Sequence, residues 1–287
     1  MHDNASPRKP HTNPDAIATM NALPAIRGIL FDLDGVLYVG SEVIDGALEA
    51  VARIRASGMT CRFVTNTSTL SLDSLQQKIN ALGFAIDKQE IISAPQAAVL
   101  YLRQQQNPVC RLLLADDVKK DFAEFRQPQS SQSPQSSDSA ADYIVIGDIG
   151  DAWSYPLLNE VFQSLINGAK LIAIHKNRFW QTTNGLQMDI GGFVHALEYA
   201  SSTSALLIGK PSPDFFHMAL ASMALLPEQV AMLGDDIDAD VGGAQDAGLT
   251  GILVKTGKYR QAYAEASKIK PNLVIDSIKD LPNVLGL

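Results

Sequence analysis

The chain has few cysteines, no long apolar runs and a shortage of positive charge. Its two cysteines, Cys61 and Cys110, lie in separate segments without a Cys-x-x-Cys motif. Two isolated thiols are typical of structural residues in a reduced, cytoplasmic protein. No apolar run approaches the roughly 20 residues that a membrane span requires, and residues 1–24 lack the apolar stretch of a secretory signal. We therefore expect a cytoplasmic protein without a membrane segment.

Positive charge is in deficit, since 23 lysines and arginines stand against 31 aspartates and glutamates, for a formal net charge of −8. A nucleic-acid-binding surface needs a basic patch, so this charge argues against nucleic acid as a partner. A phosphorylated substrate is still compatible with it, because a metal ion and one or two lysines reverse the sign of the charge locally.

Strand-like and helix-like segments alternate over most of the 287 residues. Short apolar runs predict buried strands, and apolar residues at spacings of three and four predict helices. This alternation predicts an α/β protein with a Rossmann-like, doubly wound parallel sheet. The predicted strands are 29–31, 60–64, 111–115, 143–147, 170–174, 205–209, 230–233, 251–255 and 273–275; the predicted helices are 46–57, 72–82, 94–105, 157–167, 192–201, 214–224 and 241–247.

The domain organisation follows from this alternation. Residues 1–24 are polar and rich in proline and asparagine, and we interpret them as a mostly disordered tail. We predict a core formed by residues 25–92 and 188–287, with a second α/β unit, residues 93–187, inserted between them. The Ser/Gln/Pro-rich segment at 126–142 cannot bury a core, and we interpret it as a mobile surface loop of the second unit.

Two carboxylates, Asp32 and Asp34, directly follow the first predicted strand. Open α/β sheets bind their ligands at the carboxyl ends of the strands. Residues two apart point to the same side of a strand, and two ionised carboxylates so close together are costly unless a cation lies between them or one holds a proton. The pair therefore indicates Mg²⁺ and acid–base chemistry on an anionic substrate.

Polar residues also follow three later predicted strands. If the sheet is parallel, they converge with the aspartate pair on one crevice. The combination fits phosphoryl transfer, which needs a nucleophile, cations around the phosphoryl oxygens and a proton for the leaving oxygen. These residues are Thr65 and Asn66, Lys210 in the segment GKPSP, and Asp235 in the segment GDDIDAD.

In this order the segments resemble the four motifs of the haloacid dehalogenase superfamily phosphatases. The motifs are an aspartate pair, a threonine or serine, a lysine and an acidic loop, which correspond here to Asp32 with Asp34, Thr65, Lys210, and Asp235 with Asp236 and Asp240. The segments DLDGVLY, VTNTS, IGKPSP and GDDIDADVGGAQDAG are most similar to the NagD-like branch, subfamily IIA, and to the phospholysine phosphohistidine inorganic pyrophosphate phosphatases within it. The resemblance implies a catalytic core with an inserted C2-type cap at 93–187.

The resemblance also implies a role for each motif residue. Asp32 would be the nucleophile that forms an aspartyl-phosphate, and Asp34 would be the general acid and base. Mg²⁺ would bind the carboxylates of Asp32 and Asp235 and the backbone carbonyl of Asp34. The other residues would act around these: Thr65 Oγ1, the Asn66 N–H and Lys210 on the phosphoryl group, and Asp236 and Asp240 through water or by orienting Lys210.

Several further residues have a structural interpretation beside a functional one. We interpret Asp238 as part of a solvated acidic loop and Gly242-Gly243 as a site of close helix packing. The basic segment at 255–260 fits either an anion contact or a solvated turn. Candidates for substrate contact stand in the segment AIHKNRFW, which ends a predicted strand of the second unit: His175, Lys176 and Arg178.

The leading hypothesis is a Mg²⁺-dependent phosphatase for small phosphorylated metabolites, acting on a phosphomonoester, pyrophosphate or phosphoamide bond. A phosphotransferase or phosphomutase stays open, as does a non-catalytic phosphate-binding or regulatory module on the same fold. A non-catalytic module is expected to lose Asp32 or Asp34, and both are present. A homodimer through the cap is an expectation from the resemblance alone.

Overall fold

The computed structural model of the chain describes residues 25–128, 140–182 and 185–287. The predicted tail at 1–24 and residues 129–139 of the predicted surface loop lie outside the described residues. Among the described helices, none combines the length and the apolarity that crossing a membrane requires.

Strands and helices alternate along the described chain, as the sequence pattern predicts. The strands are β1 Gly28–Asp32, β2 Tyr38–Val39, β3 Glu42–Val43, β4 Thr60–Thr65, β5 Ile91–Ser93, β6 Cys110–Leu113, β7 Tyr143–Ile146, β8 Lys170–Ala173, β9 Phe179–Thr182, β10 Gly185–Met188, β11 Leu206–Leu207, β12 Val230–Gly234, β13 Thr250–Val254 and β14 Leu273–Ile275. The helices are α1 Ala47–Ala56, α2 Leu72–Ala81, α3 Ala94–Arg103, α4 Tyr155–Ile166, α5 Gly191–Ser201, α6 Pro213–Met223, α7 Gly243–Asp246, α8 Gln261–Ala266 and α9 Leu281–Val284.

The larger sheet has six strands in the order β14-β13-β12-β1-β4-β5, all parallel. Its strand β1 is buried along its whole length, between β12 and β4. Alternate residues of β1 enter different hydrophobic clusters, because Leu30 packs with Val64 while Ile29 and Phe31 pack with Phe63. The sheet is therefore covered on both faces, which explains why its strands read as continuous apolar runs.

The smaller sheet has four parallel strands in the order β11-β8-β7-β6. Helices α4 and α5 pack on one face, where Val161 and Val194 join Ile144 in one cluster. Leu102 of α3 joins Val145 in a different cluster, on the other face. This second cluster continues into the larger sheet, so the apolar core passes from one sheet to the other without a break.

Strand pairing extends the second unit beyond the predicted range of 93–187. The sequence pattern placed the strand at 205–209 in the core, but β11 pairs with β8 in the smaller sheet. Helix α5, which precedes β11, packs on the same sheet. We therefore propose that the inserted unit ends near residue 207.

The sequence pattern did not predict two short antiparallel hairpins, β2–β3 and β9–β10, or the edge strand β5. These strands have two to four residues. Such lengths are too short to show the alternation of apolar and polar residues by which a strand is recognised.

Glycine at the start of α7 lets two loops of the core approach each other closely. A Cβ atom on Gly243 would lie 2.7 Å from Pro211 Cα and 2.7 Å from Phe216 Cε2. Pro211 follows Lys210, so this contact places the lysine loop against the acidic loop. The surroundings of Gly243 thus agree with the packing interpretation of the glycine pair.

Replacing Gly243 by alanine is expected to lower the free energy of unfolding by about 1–3 kcal/mol, because the new methyl group has no space beside the backbone of Pro211. Chemical denaturation followed by circular dichroism measures this loss. Gly242→Ala is the matched control, because its Cβ would meet the mobile end of the Ile269 side chain at 2.5 Å. Equal stability of the two variants would contradict the packing argument.

Candidate active site

The carboxyl edge of the larger sheet brings together most of the predicted site residues. Strand β1 ends at Asp32 and β4 ends at Thr65, while Asp235 follows the last residue of β12. Lys210 was predicted to follow a strand of the larger sheet. The strand before it, β11, belongs to the smaller sheet instead. The four predicted segments do meet at one crevice, but Lys210 reaches it from a loop between the two sheets.

Lys210 is buried between two carboxylates. Its Nζ donates a hydrogen bond to Asp32 Oδ1 at 2.7 Å and lies 2.6 Å from Asp240 Oδ1. Burial alone would lower the pKa of Lys210, but the charges of Asp240 and Asp32 outweigh it and raise the pKa. The lysine is therefore held charged in the crevice.

The side chain of Asn66 fixes the backbone of Lys210. Lys210 N–H donates to Asn66 Oδ1 at 2.9 Å, and Asn66 Nδ2 donates to the Lys210 carbonyl at 2.9 Å. This pair of hydrogen bonds ties the end of β4 to the lysine loop. The resemblance pointed to the Asn66 backbone, whereas the contact present in the structure is made by its amide side chain.

Three buried carboxylates form a compact group in the crevice. Asp32, Asp235 and Asp240 each offer an oxygen within 4.8 Å of the others. Burial raises the pKa of Asp240 to about 7 although Lys210 opposes the shift, and burial raises the pKa of Asp235 well above its usual range. Burial therefore disfavours the ionised forms of these carboxylates unless a further cation lies beside them.

Asp235 offers a buried carboxylate oxygen that suits a cation. Its Oδ1 is buried and has no hydrogen-bond partner in the described part of the chain, while its Oδ2 accepts the Lys258 N–H at 2.6 Å. Hard carboxylate oxygens of this kind are the ligands that Mg²⁺ takes, usually with several waters. The donor set of Asp32 and Asp235 therefore fits a magnesium ion.

Lys258 lines the crevice. From the sequence, its segment fitted either an anion contact or a solvated turn. It is half-buried in the crevice wall, and its Nζ lies 3.7 Å from Asp236 Oδ2. Burial lowers the pKa of Lys258, but the nearby carboxylates of Asp235 and Asp236 outweigh it and raise the pKa. The signal that identifies it is its position, since the segment 255–260 leaves the carboxyl end of β13.

Two glycines make room for Asp235. A Cβ atom on either Gly35 or Gly257 would overlap Asp235 Oδ2, and both residues have positive φ, +90° and +56°. Thr256 Oγ1 also donates to the Gly35 carbonyl at 2.5 Å. Only glycine satisfies both the space and the backbone angle at these positions.

Asp34 and Thr65 flank the carboxylate group. The Asp34 side chain projects into the solvent-filled crevice, where the surrounding protein and the charge of Asp32 raise its pKa. Thr65 is buried, and its Oγ1 accepts the Thr67 N–H at 3.0 Å. A raised pKa makes Asp34 a better proton donor than an ordinary aspartate at neutral pH.

The acidic loop is wound as a π-helical turn, Ile237–Gly242, where the sequence pattern predicted a helix only from 241. Asp236 caps this turn, because its Oδ1 accepts the N–H groups of Asp238 at 3.1 Å and Ala239 at 3.0 Å. Asp240 lies inside the turn and touches Lys210, whereas Asp238 is exposed and accepts a hydrogen bond from the Tyr263 hydroxyl.

The three candidate residues of the second unit, His175, Lys176 and Arg178, line two different cavities. His175 lines the crevice, with Nε2 3.4 Å from Ser68 Oγ, and burial lowers its pKa. Lys176 forms an ion pair with Glu198 at 2.8 Å, and Arg178 lies over the ring of Tyr263. Both of these line an adjoining cavity and not the crevice itself.

The crevice has a volume of about 360 Å³ and lies between the two units. The lining residues that sequence reasoning did not identify include Tyr38, Ser68, Lys78 and Asp148. The first two stand near motif residues, but Lys78 and Asp148 gave no signal, because they reach the crevice only through tertiary placement.

Comparisons with known proteins agree with this geometry. Residues 29–126 match a family model described as haloacid dehalogenase-like hydrolase, and residues 207–281 match a second, HAD-hydrolase-like model. The p-nitrophenyl phosphatase of Archaeoglobus fulgidus superimposes with a TM-score of 0.81 at 25% identity, over 91% of this chain and 99% of that one. The predicted α/β fold is therefore confirmed.

Two curated relatives match along nearly the whole chain. The bovine haloacid dehalogenase-like hydrolase domain-containing protein 2 is 41% identical over 88% of this chain and 93% of its own length. The human phospholysine phosphohistidine inorganic pyrophosphate phosphatase is 36% identical over 92% of this chain and 95% of its own. With this similarity, the chain belongs to the haloacid dehalogenase-like hydrolase family.

Proposed function

We propose that the protein is a Mg²⁺-dependent phosphatase that hydrolyses small phosphorylated molecules through an aspartyl-phosphate. The observation that carries the proposal is the buried contact of Lys210 Nζ with Asp32 Oδ1 at 2.7 Å, beside the carboxylates of Asp235 and Asp240. A carboxylate nucleophile needs cations around it before an anionic phosphoryl group can approach. Lys210 supplies one such charge beside Asp32, and a magnesium ion held by the carboxylates would supply another.

Asp32 attacks phosphorus with one carboxylate oxygen, and the bond from phosphorus to the leaving oxygen breaks. Lys210, already in contact with Asp32, offsets the repulsion between the carboxylate and the incoming phosphoryl group. Thr65 Oγ1 and the Asn66 N–H hold phosphoryl oxygens. Formation of the aspartyl-phosphate divides one difficult displacement into two easier steps.

Asp34 donates its proton to the leaving oxygen in the first step. In the second step, ionised Asp34 takes a proton from the water that attacks the aspartyl-phosphate. The raised pKa of Asp34 supports the first role, because it keeps a proton available. Asp240 orients Lys210, which it touches at 2.6 Å, and Asp236 shapes the acidic loop.

Mg²⁺ would be held by the carboxylates of Asp32 and Asp235 and by the backbone carbonyl of Asp34. When bound, it would supply positive charge to the phosphoryl oxygens. The orphaned Oδ1 of Asp235 supports this assignment.

The substrates are small molecules, because the crevice is confined between two units and has about 360 Å³. Phosphomonoesters, pyrophosphate and phosphoamides all fit the proposed chemistry, and the human relative is named for the last two. We further propose a cytoplasmic location, in keeping with two free, buried cysteines, Cys61 and Cys110. A homodimer through the cap also stays a proposal.

Replacing Asp32 by asparagine is expected to reduce kcat for p-nitrophenyl phosphate with Mg²⁺ by at least about 10³-fold, since the nucleophile is lost while the side-chain size is kept. Release of p-nitrophenol measures the rate. Asp45→Asn, at an exposed position, is the control and should behave as wild type. Retention of activity by Asp32→Asn would rule out the proposed intermediate.

Replacing Asp34 by asparagine removes the proton donor. For an alkyl phosphate, kcat/KM is expected to fall by about 10²–10⁴-fold, because an alkoxide leaves poorly without a proton. For p-nitrophenyl phosphate the loss should be at least about tenfold smaller, because p-nitrophenolate is a much weaker base. Equal losses with both substrates would argue against Asp34 as the general acid.

Mg²⁺ binding is expected to depend on Asp235. The wild-type Tm should rise with added Mg²⁺, and Asp235→Asn should need at least about tenfold more Mg²⁺ for the same rise. Asp238→Asn is the matched control, because this aspartate is exposed in the same loop and outside the carboxylate group. An unchanged Mg²⁺ response in Asp235→Asn would place the metal elsewhere.

A further inference from the structure

Three lysines line the catalytic crevice, and they differ in what compensates their charge. Lys210 lies against two carboxylates, and Lys258 lies near one. In the part of the chain that the structure describes, the ammonium group of Lys78 forms neither an ion pair nor a hydrogen bond. Lys78 is therefore the lysine of the crevice whose charge is available to a ligand.

Lys78 is held at a defined place in the crevice wall. It stands on α2, half-buried, and its Nζ lies 4.3 Å from the centre of the Tyr38 ring. Such a cation–π contact holds the ammonium in place without using its hydrogen-bond donors. Tyr38 is in turn tied to the aspartate loop, because Gly35 N–H donates to the Tyr38 carbonyl at 2.7 Å and Tyr38 pairs with Asp34.

This arrangement places the Lys78 charge near the Asp34 carboxyl. Lys78 and Asp34 line the same crevice, and both adjoin Tyr38, Lys78 at the ring and Asp34 through a backbone bridge. Asp34 is where the leaving oxygen of the substrate receives its proton. The group attached to that oxygen would therefore enter the crevice that Lys78 lines.

The crevice repels an anionic leaving group, because the carboxylates of Asp148 and Asp189 line it. A carboxylate or phosphate beside these residues is unfavourable unless a cation offsets their charge, and hydrogen bonds to charged groups are stronger than those between neutral groups. Lys78 has three free donors for this purpose.

We propose that Lys78 is a specificity-determining residue, which binds a carboxylate or second phosphate group carried by the leaving group of the substrate. The inference rests on the proposed phosphatase function and names its substrate class: phosphorylated molecules with a second negative charge close to the scissile bond. Lys78 makes no contact within the carboxylate group, so its part is selection and not bond breaking.

The test compares two phosphomonoesters of similar size, phosphoglycolate and 2-hydroxyethyl phosphate, which differ in one carboxylate. In Lys78→Met, kcat/KM for phosphoglycolate is expected to fall about 10- to 100-fold relative to 2-hydroxyethyl phosphate. The ratio is the readout, because an effect through Asp34 or through folding lowers both rates alike. Lys78→Arg keeps the charge and should keep the preference.

Inorganic pyrophosphate forms the second arm. A selective loss with phosphoglycolate identifies a carboxylate as the bound group, and one with pyrophosphate identifies a phosphate; either supports the inference. Lys88→Met is the matched control, because Lys88 is exposed and pairs with Asp73 on the surface. Lys78→Gln provides a second neutral variant if Lys78→Met folds poorly.

The two proposals fail in different ways. If the wild type hydrolyses these esters but the ratio is the same in Lys78→Met and wild type, the assignment of Lys78 is wrong and the phosphatase function stands. If the wild type hydrolyses none of the three substrates or p-nitrophenyl phosphate with Mg²⁺, both proposals are wrong.

Discussion

The crevice depends on one buried ammonium group, that of Lys210, which lies between Asp32 and Asp240. Burying an unpaired charge costs several kcal/mol, and like charges close together add to that cost. Lys210 and the half-buried Lys258 offset only part of the charge of the carboxylates around them, and Asp235 keeps an oxygen with no hydrogen-bond partner among the described residues. The apolar clusters on both faces of the larger sheet must therefore hold together a group that would otherwise separate. A divalent cation removes most of this cost, so the same imbalance that weakens the metal-free protein favours metal binding.

Much of the local structure follows from holding this charged group in place. Asn66 uses both ends of its amide on the Lys210 backbone, which leaves the ammonium little freedom to leave Asp32. Gly35 and Gly257 allow two backbone segments to touch Asp235, where any side chain would overlap its carboxylate. These residues take no part in bond breaking. They keep the reacting groups within hydrogen-bond distance, which a displacement at phosphorus requires.

The sequence identified site residues that stand at the ends of strands. It did not identify residues that reach the crevice only through the tertiary fold. Asp32, Thr65 and Asp235 could be located because buried parallel strands are continuous apolar runs and their carboxyl ends share one edge. Lys210 was identified by its motif, yet the strand before it was assigned to the wrong sheet. Only two residues of that strand, β11, pair with β8, and so short a strand has no periodic pattern that shows its partner. Lys258 follows a strand end and was within reach of the same reasoning. Lys78 was not, because helical spacing identifies the buried face of α2 and does not show which residue outside that face meets a distant loop.

The two sheets contribute different residues to the site. The larger sheet supplies the carboxylates and Thr65, and the smaller one presents His175 and Asp148 to the same crevice. Residues of the second unit thus line the substrate crevice without belonging to the carboxylate group around Lys210. Lys78 shows that selection is not confined to that unit. It belongs to the core and lies near Asp34, yet it is neutralised by no carboxylate of the described chain. A change at this position alters the charge that the leaving group meets while the nucleophile, its lysine and the metal ligands stay where they are.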